Sequence, residues 1–152
     1  MNDTDNHIIN QLQQNFPLCE RPYEKIADSI GIDIDELFKR VKYLTDTGVI
    51  RRVGVSLNSK KMGFASTLAA VRVSQEAIEE ASETIAKFPE VTHSYLRDDD
   101  FNIWFTLIAE NNQRINEILD QIKASLSLEN CDILNLPAQK LYKLDARFNA
   151  AR

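Results

Sequence analysis

The sequence predicts an α+β chain in two parts: a winged helix-turn-helix head over residues 1–60 and a βαββαβ sandwich over residues 61–152. Three observations carry this reading. Apolar residues recur at helical spacing through the first 47 residues, punctuated by helix start and stop residues. The period then changes to the alternation expected of strands. From residue 67 onward the elements run strand, helix, strand, strand, helix, strand, the order of a ferredoxin-like domain.

In the head, Ile8, Ile9 and Leu12 mark one face of a first helix that stops near Phe16-Pro17. Pro22 suits the first turn of a second helix, where its missing N–H loses nothing. Tyr23, Ile26, Ala27 and Ile30 form that helix's inward face, and Gly31 ends it. Asp33 predicts an N-cap with Glu36 as its capping-box partner. The third helix turns Ile34, Leu37, Val41 and Leu44 inward and closes at Gly48. Residues 49–55 then read as a strand, placed like the wing of a winged helix.

In the second part, residues 67–73 read as a strand, and Ser74 reads as the cap of a helix carrying Ile78, Ala81, Ile85 and Phe88 inward. Pro89 ends that helix. Strands are predicted at 91–97 and 102–109 around an Asp-rich turn. A helix follows from Asn112 to Ser125, then a core strand over 131–136. A further extended piece, 139–144, is suited to pairing with a sheet edge or a partner.

Composition narrows the function. A 43% apolar fraction supports a real core. No apolar run approaches the ~18 residues of a membrane span, and the polar N-terminus is no signal peptide. Cys19 and Cys131 are far apart and match no metal-ligand spacing, so they read as reduced thiols of a cytoplasmic protein. The net charge of −5 is a poor start for a nucleic-acid binder, which displaces counterions with a basic surface.

The hairpin 91–109 holds the distinctive residues. With a two-residue turn at Asp99-Asp100, Asp98 faces Phe101, Arg97 faces Asn102, Tyr95 faces Trp104, and His93 faces Thr106. Alternation then sets Leu96, Ile103, Phe105 and Leu107 against the helices. It sets Val91, His93, Tyr95 and Arg97 on the opposite face with Trp104. Helices cover only one face of such a sheet. A patch of His, Tyr, Arg and Trp is too aromatic to stay wet and too polar for plain core. It reads either as a dimer interface, where these residues concentrate, or as a ligand site at or beside one.

The architecture resembles the Lrp/AsnC proteins, and Leu37 through Ile50 is similar to their recognition helix and its exit. Three stretches narrow the match. These are Gly48-Val49-Ile50-Arg51-Arg52-Val53-Gly54 with Asn58 and Met62-Gly63-Phe64, then Val91-Thr92-His93-Ser94-Tyr95-Leu96-Arg97, then Phe101-Asn102-Ile103-Trp104-Phe105-Thr106-Leu107. Together they resemble the sirohaem (siroheme) decarboxylases of the AhbA/AhbB and NirD/L/G/H type. That resemblance implies removal of carbon dioxide from two acetate side chains of sirohaem, giving didecarboxysirohaem on the way to haem or haem d1. It also implies a second, related Lrp/AsnC-like subunit, in a heterodimer or a higher oligomer. The iron tetrapyrrole is then substrate, and no separate cofactor is required.

The residue types suit such a ligand. A flat, carboxylate-studded macrocycle needs an aromatic slot and cations at its rim. Trp104 and Tyr95 can form the slot, with Asn102 as a further substrate contact. Arg97, Arg51 and Arg52 can clamp carboxylates through their planar forks. Lys60, Lys61, Lys140, Lys143 and Arg147 are further rim candidates, although most such lysines are solvated surface. His93 is one of only two histidines, the other being His7 on the first helix. It can ligate the iron as an axial imidazole or deliver a proton, with His93 and Arg97 as the catalytic pair.

Two competing readings share the scaffold. One is an Lrp/AsnC DNA-binding regulator. Against it, the start of the recognition helix holds Asp33, Asp35 and Glu36, and residues 1–60 carry eight Lys or Arg against nine Asp or Glu. Lys39, Arg40 and Lys42 lie later on that helix, where they can touch a DNA backbone. The other is a haem sensor or carrier that binds the tetrapyrrole without turnover.

Overall fold

The computed structural model describes residues 2–143, 145 and 147. It forms two compact units that divide between Ser56 and Leu57, with residues 143, 145 and 147 grouped with the first. The expected boundary at residue 60 lies slightly further along the chain. Part of the expected second domain, residues 144, 146 and 148–152, lies outside the described residues, as does Met1.

The first unit holds α1 (Asp3–Gln14), α2 (Pro22–Ile30) and α3 (Ile34–Asp46). Ile8, Ile26, Ala27, Leu37 and Leu44 form its buried core. Gly31 follows α2 at φ 77°, a left-handed conformation that a Cβ disfavours. Asp33 caps α3 by accepting from the Asp35 N–H at 2.8 Å. The expected capping box does not form, because the Glu36 carboxylate is held by Arg40 Nε at 2.7 Å. A capping box does form at the start of α1: Asn2 accepts from the Asp5 N–H, and Asp5 accepts from the Asn2 N–H.

Residues 51–58 form no strand, which corrects the expected wing. Val53 and Val55 are exposed there, so alternation in the sequence has no apolar layer to face within this unit.

Arg40 ties α3 to α1. Its Nη1 lies 3.0 Å from Asp5 Oδ1, and the Asp5 side chain is almost fully buried. Burial pushes the Asp5 carboxyl up. The Asn2 N–H and the Arg40 guanidinium outweigh it and hold the group below its ordinary value of 3.8. A lowered carboxylate stabilises the fold above its unfolded value and loses that contribution as pH falls through the folded one. The head is therefore expected to lose helix on acidification below about pH 4. In Asp5→Asn that part of the acid sensitivity is absent, which circular dichroism against pH will check.

The second unit is a four-stranded antiparallel sheet in the order β2-β3-β1-β4, made of β1 (Ala65–Val71), β2 (Val91–Leu96), β3 (Ile103–Ala109) and β4 (Ile133–Leu136). α4 (Ile78–Ala86) and α5 (Asn112–Ser125) cover one face. Ala81, Ile85, Ile115, Ile118, Leu119 and Ile122 pack there against Ala69, Val71, Ile103, Phe105 and Leu107. This is the expected ferredoxin-like arrangement, with small shifts. β1 starts two residues early, and a 3₁₀ turn over Gln75–Ala77 separates Ser74 from α4, so Ser74 does not cap α4 itself. A second such turn, Asn130–Asp132, shortens the last strand, which is an edge strand only half covered. Residues 139–143 carry no strand pairing, and residue 144 of that expected piece lies outside the described residues.

Candidate active site

The β2-β3 hairpin has the expected register at its working end. His93 faces Thr106, Tyr95 faces Trp104, and the Arg97 N–H donates to the Asn102 carbonyl at 2.8 Å. The turn is wider than expected. Residues 98–101 all lie in the bend, and the Phe101 N–H is taken by Asp99 Oδ1 at 3.1 Å, so Asp98 and Phe101 do not pair.

The larger correction is at the start of β2. Val91 faces Leu107 while His93 faces Thr106, so Thr92 is an extra residue, a β-bulge. Strict alternation sets Val91 and His93 on one face. The bulge separates them: Val91 packs on the core, and His93 turns to the open side. A regular strand starting from Val91 would have pointed His93 at the helices.

The open face carries two rows that run across all four strands. Tyr95, Trp104, Ala70 and Leu134 form one, and His93, Thr106, Leu68 and Leu136 the other. Leu68 is 43% exposed and Leu136 44%, so the floor beside the aromatic group is apolar and open. Leu96 shares the inward side with Ile103 but stays 61% exposed, because β2 is an edge strand that the helices reach only in part.

Four of the expected site residues come together here. The His93 and Tyr95 rings are stacked, 6.4 Å apart and 13° from parallel. The Arg97 guanidinium lies 5.7 Å from the centre of the Trp104 ring, a cation–π arrangement. Trp104 Nε1 donates to the Phe101 carbonyl at 2.6 Å, which fixes the indole. Arg97 thus sits at the edge of an aromatic slot with its donors available for a carboxylate.

The others are distributed differently. Asn102 donates to the Val73 carbonyl at 2.8 Å and accepts from the Val73 N–H at 3.2 Å. Its amide therefore clips the start of β3 to the chain leaving β1, a bracing role the sequence reading missed. Arg51 and Arg52 are exposed in the first unit. With Lys60, Lys61 and Arg72 they stand in a stretch, residues 47–75, that has no Asp or Glu at all. Lys140 lies over the Tyr142 ring at 5.0 Å. Arg147 is paired with Asp145 at 2.8 Å, which lowers that carboxyl to about 2 and takes up Arg147's own charge. His7 is exposed on α1, as expected.

On the recognition helix α3, Arg40 is turned to Asp5 and Glu36, and Lys42 pairs with Asp46 at 2.8 Å. Of the three cations expected to reach a DNA backbone, Lys39 alone has no carboxylate partner among the described residues.

Comparison with known proteins matches both units. Residues 5–51 match the model of the siroheme decarboxylase NirDL-like helix-turn-helix domain, and residues 61–143 that of the AsnC-like ligand binding domain. The siroheme decarboxylase alpha subunit of Desulfovibrio desulfuricans is 39% identical, over 97% of this chain and 84% of that protein. The siroheme decarboxylase NirD subunit of Pseudomonas aeruginosa is 33% identical, over 97% and 96%. Among solved structures, siroheme decarboxylase NirDL in co-complex with an iron-uroporphyrin III analogue superposes with a TM-score of 0.71 at 27% identity. That match covers 88% of this chain but 44% of the NirDL chain, so this chain spans less than half of that longer protein. AsnC of Escherichia coli superposes with a TM-score of 0.79 at 15% identity, over 97% of both chains, which shows the shared fold alone. A head matching that family's own helix-turn-helix and near full-length identity to its subunits lead to one assignment: the chain belongs to the siroheme decarboxylase family.

Proposed function

We propose that this chain is one subunit of a sirohaem decarboxylase, acting with a related Lrp/AsnC-like subunit in the cytoplasm to convert sirohaem to didecarboxysirohaem. The observation that carries this is the cluster of His93, Tyr95, Arg97 and Trp104 on the open, largely apolar face of the sheet. A flat ring with carboxylates at its edge matches an aromatic floor with a guanidinium at its rim.

The reaction needs little from the protein beyond orientation and a proton. The bond between an acetate's methylene and its carboxylate breaks, and carbon dioxide leaves. The electron pair stays on the methylene and is spread into the conjugated macrocycle. A proton then adds there and leaves a methyl group, so no oxidant or reductant is consumed. Arg97 binds a carboxylate in bidentate fashion. Trp104 and Tyr95 bear on the ring. His93 supplies the proton, or binds the iron of the substrate as its axial ligand. The acidic start of α3 and the engaged Arg40 and Lys42 favour this reading over a DNA-binding regulator.

The test is anaerobic incubation of the chain, co-expressed with its related subunit, with sirohaem, followed by mass spectrometry of the tetrapyrrole. The expected product has lost two carbon dioxide units. Binding without mass loss identifies a carrier instead. Absence of binding, together with tight sequence-specific binding to DNA in a mobility-shift assay, restores the regulator.

A further inference from the structure

We propose that Thr92, the extra residue of the β2 bulge, is a positioning residue that sets the tautomer of His93. Two contacts of its hydroxyl carry this. Thr92 Oγ1 lies 3.3 Å from the Thr106 carbonyl oxygen, and 3.1 Å from His93 Nδ1. A carbonyl oxygen only accepts, so the single hydroxyl hydrogen goes to Thr106. The oxygen's lone pair is left facing Nδ1, and that contact is a hydrogen bond only if Nδ1 carries the hydrogen. In the neutral ring Nε2 is then bare, with its lone pair available.

The stack on Tyr95 restrains the same ring, so tautomer and orientation are both defined. The bulge makes this possible. It inserts Thr92 beside His93 and across from Thr106, with the hydroxyl within reach of both. In a regular strand neighbouring side chains point to opposite faces.

The consequence rests on the decarboxylase reading above. Nδ1–H donates to Thr92 in both the neutral and the protonated ring, so proton exchange is confined to Nε2. The imidazole need not turn over during the cycle. Nε2 is also the atom left to bind a metal, so the arrangement serves either role of His93.

Nuclear magnetic resonance of the ¹⁵N-labelled full chain tests this without any tetrapyrrole. With only two histidines, a His7→Gln background leaves His93 as the one imidazole signal. At alkaline pH, where the ring is neutral, long-range ¹H–¹⁵N correlations are expected to show mainly the Nδ1–H form. Thr92→Val keeps the β-branched shape without the hydroxyl and is expected to revert to the Nε2–H form that predominates in a free side chain. Thr92→Ser is expected to restore the wild-type pattern. Should Thr92→Val disturb the amide spectrum, Thr92→Ala serves in its place. A wild-type His93 in the Nε2–H form, or one indifferent to loss of the hydroxyl, overturns the inference. In the assembled enzyme, Thr92→Val is expected to lower turnover by about 10- to 100-fold, with serine again restoring it. A tautomer that changes while turnover does not leaves Thr92's role standing and removes His93 from the reaction.

Discussion

Replacing His93 with alanine is expected to lower sirohaem decarboxylation by about 10²- to 10⁴-fold, the usual contribution of a positioned acid–base group. The side chain is exposed and, among the described residues, makes its one polar contact with Thr92, so the sheet loses little when it is removed. The comparison is single-turnover product mass for the wild-type and alanine proteins, each with the related subunit. The Soret band of the bound substrate separates the two roles. A band that shifts on mutation assigns His93 to the iron, and an unshifted band with lost turnover assigns it to the proton. A variant that turns over at the wild-type rate with an unshifted band excludes both. The loss at His93 is expected to appear in kcat, while Arg97→Ala is expected to act chiefly on substrate affinity through a lost carboxylate contact.

Phe105→Ala is expected to cost about 3–5 kcal/mol of stability in the second unit. Among the described residues Phe105 is the largest fully buried side chain, lying at the centre of β3 between Ala69 on one neighbouring strand and Ser94 on the other. It packs under both helices, and truncation leaves a cavity that backbone in the middle of a sheet cannot collapse to fill. Urea unfolding followed by the fluorescence of Trp104 reads this directly, since Trp104 is the only tryptophan and adjoins Phe105 in the sequence. An unfolding midpoint equal to wild type would refute the core position assigned to Phe105. The two variants also separate function from folding: the first removes chemistry from an intact sheet, the second removes the sheet's support from intact chemistry.

Much of this was legible in the residues. The period of 3.6 placed α1, α2, α3 and α5, and Asn112–Ser125 matches its expected bounds. Alternation with one apolar face specified the pairing of Tyr95 with Trp104 and of His93 with Thr106, because any slip by one residue would expose Ile103, Phe105 and Leu107. The wing failed for a related reason. Val49, Val53 and Val55 alternate, but alternation predicts a strand only where a layer exists to receive it, and within the first unit Val53 and Val55 meet none. The bracing role of Asn102 was not legible beside an aromatic patch, where a polar residue resembles a ligand contact. Its two bonds to Val73 join positions far apart in the chain, and no local pattern records them.

The amino-acid sequence by itself determined the two units, the helical head, the four strands and the register that gathers His93, Tyr95, Arg97 and Trp104. These follow from periodicity, start and stop residues and the demand that apolar side chains leave water, all of which act between near neighbours or across one hairpin. Only the tertiary structure decided which way Val91 faces. That choice depends on a bulge, and a bulge arises where Val91 must reach the core while the next residues must pair with Thr106. It is a compromise between packing against helices and hydrogen bonding along a strand. Its outcome is set by the positions of both, which the residues at 91–93 do not encode alone.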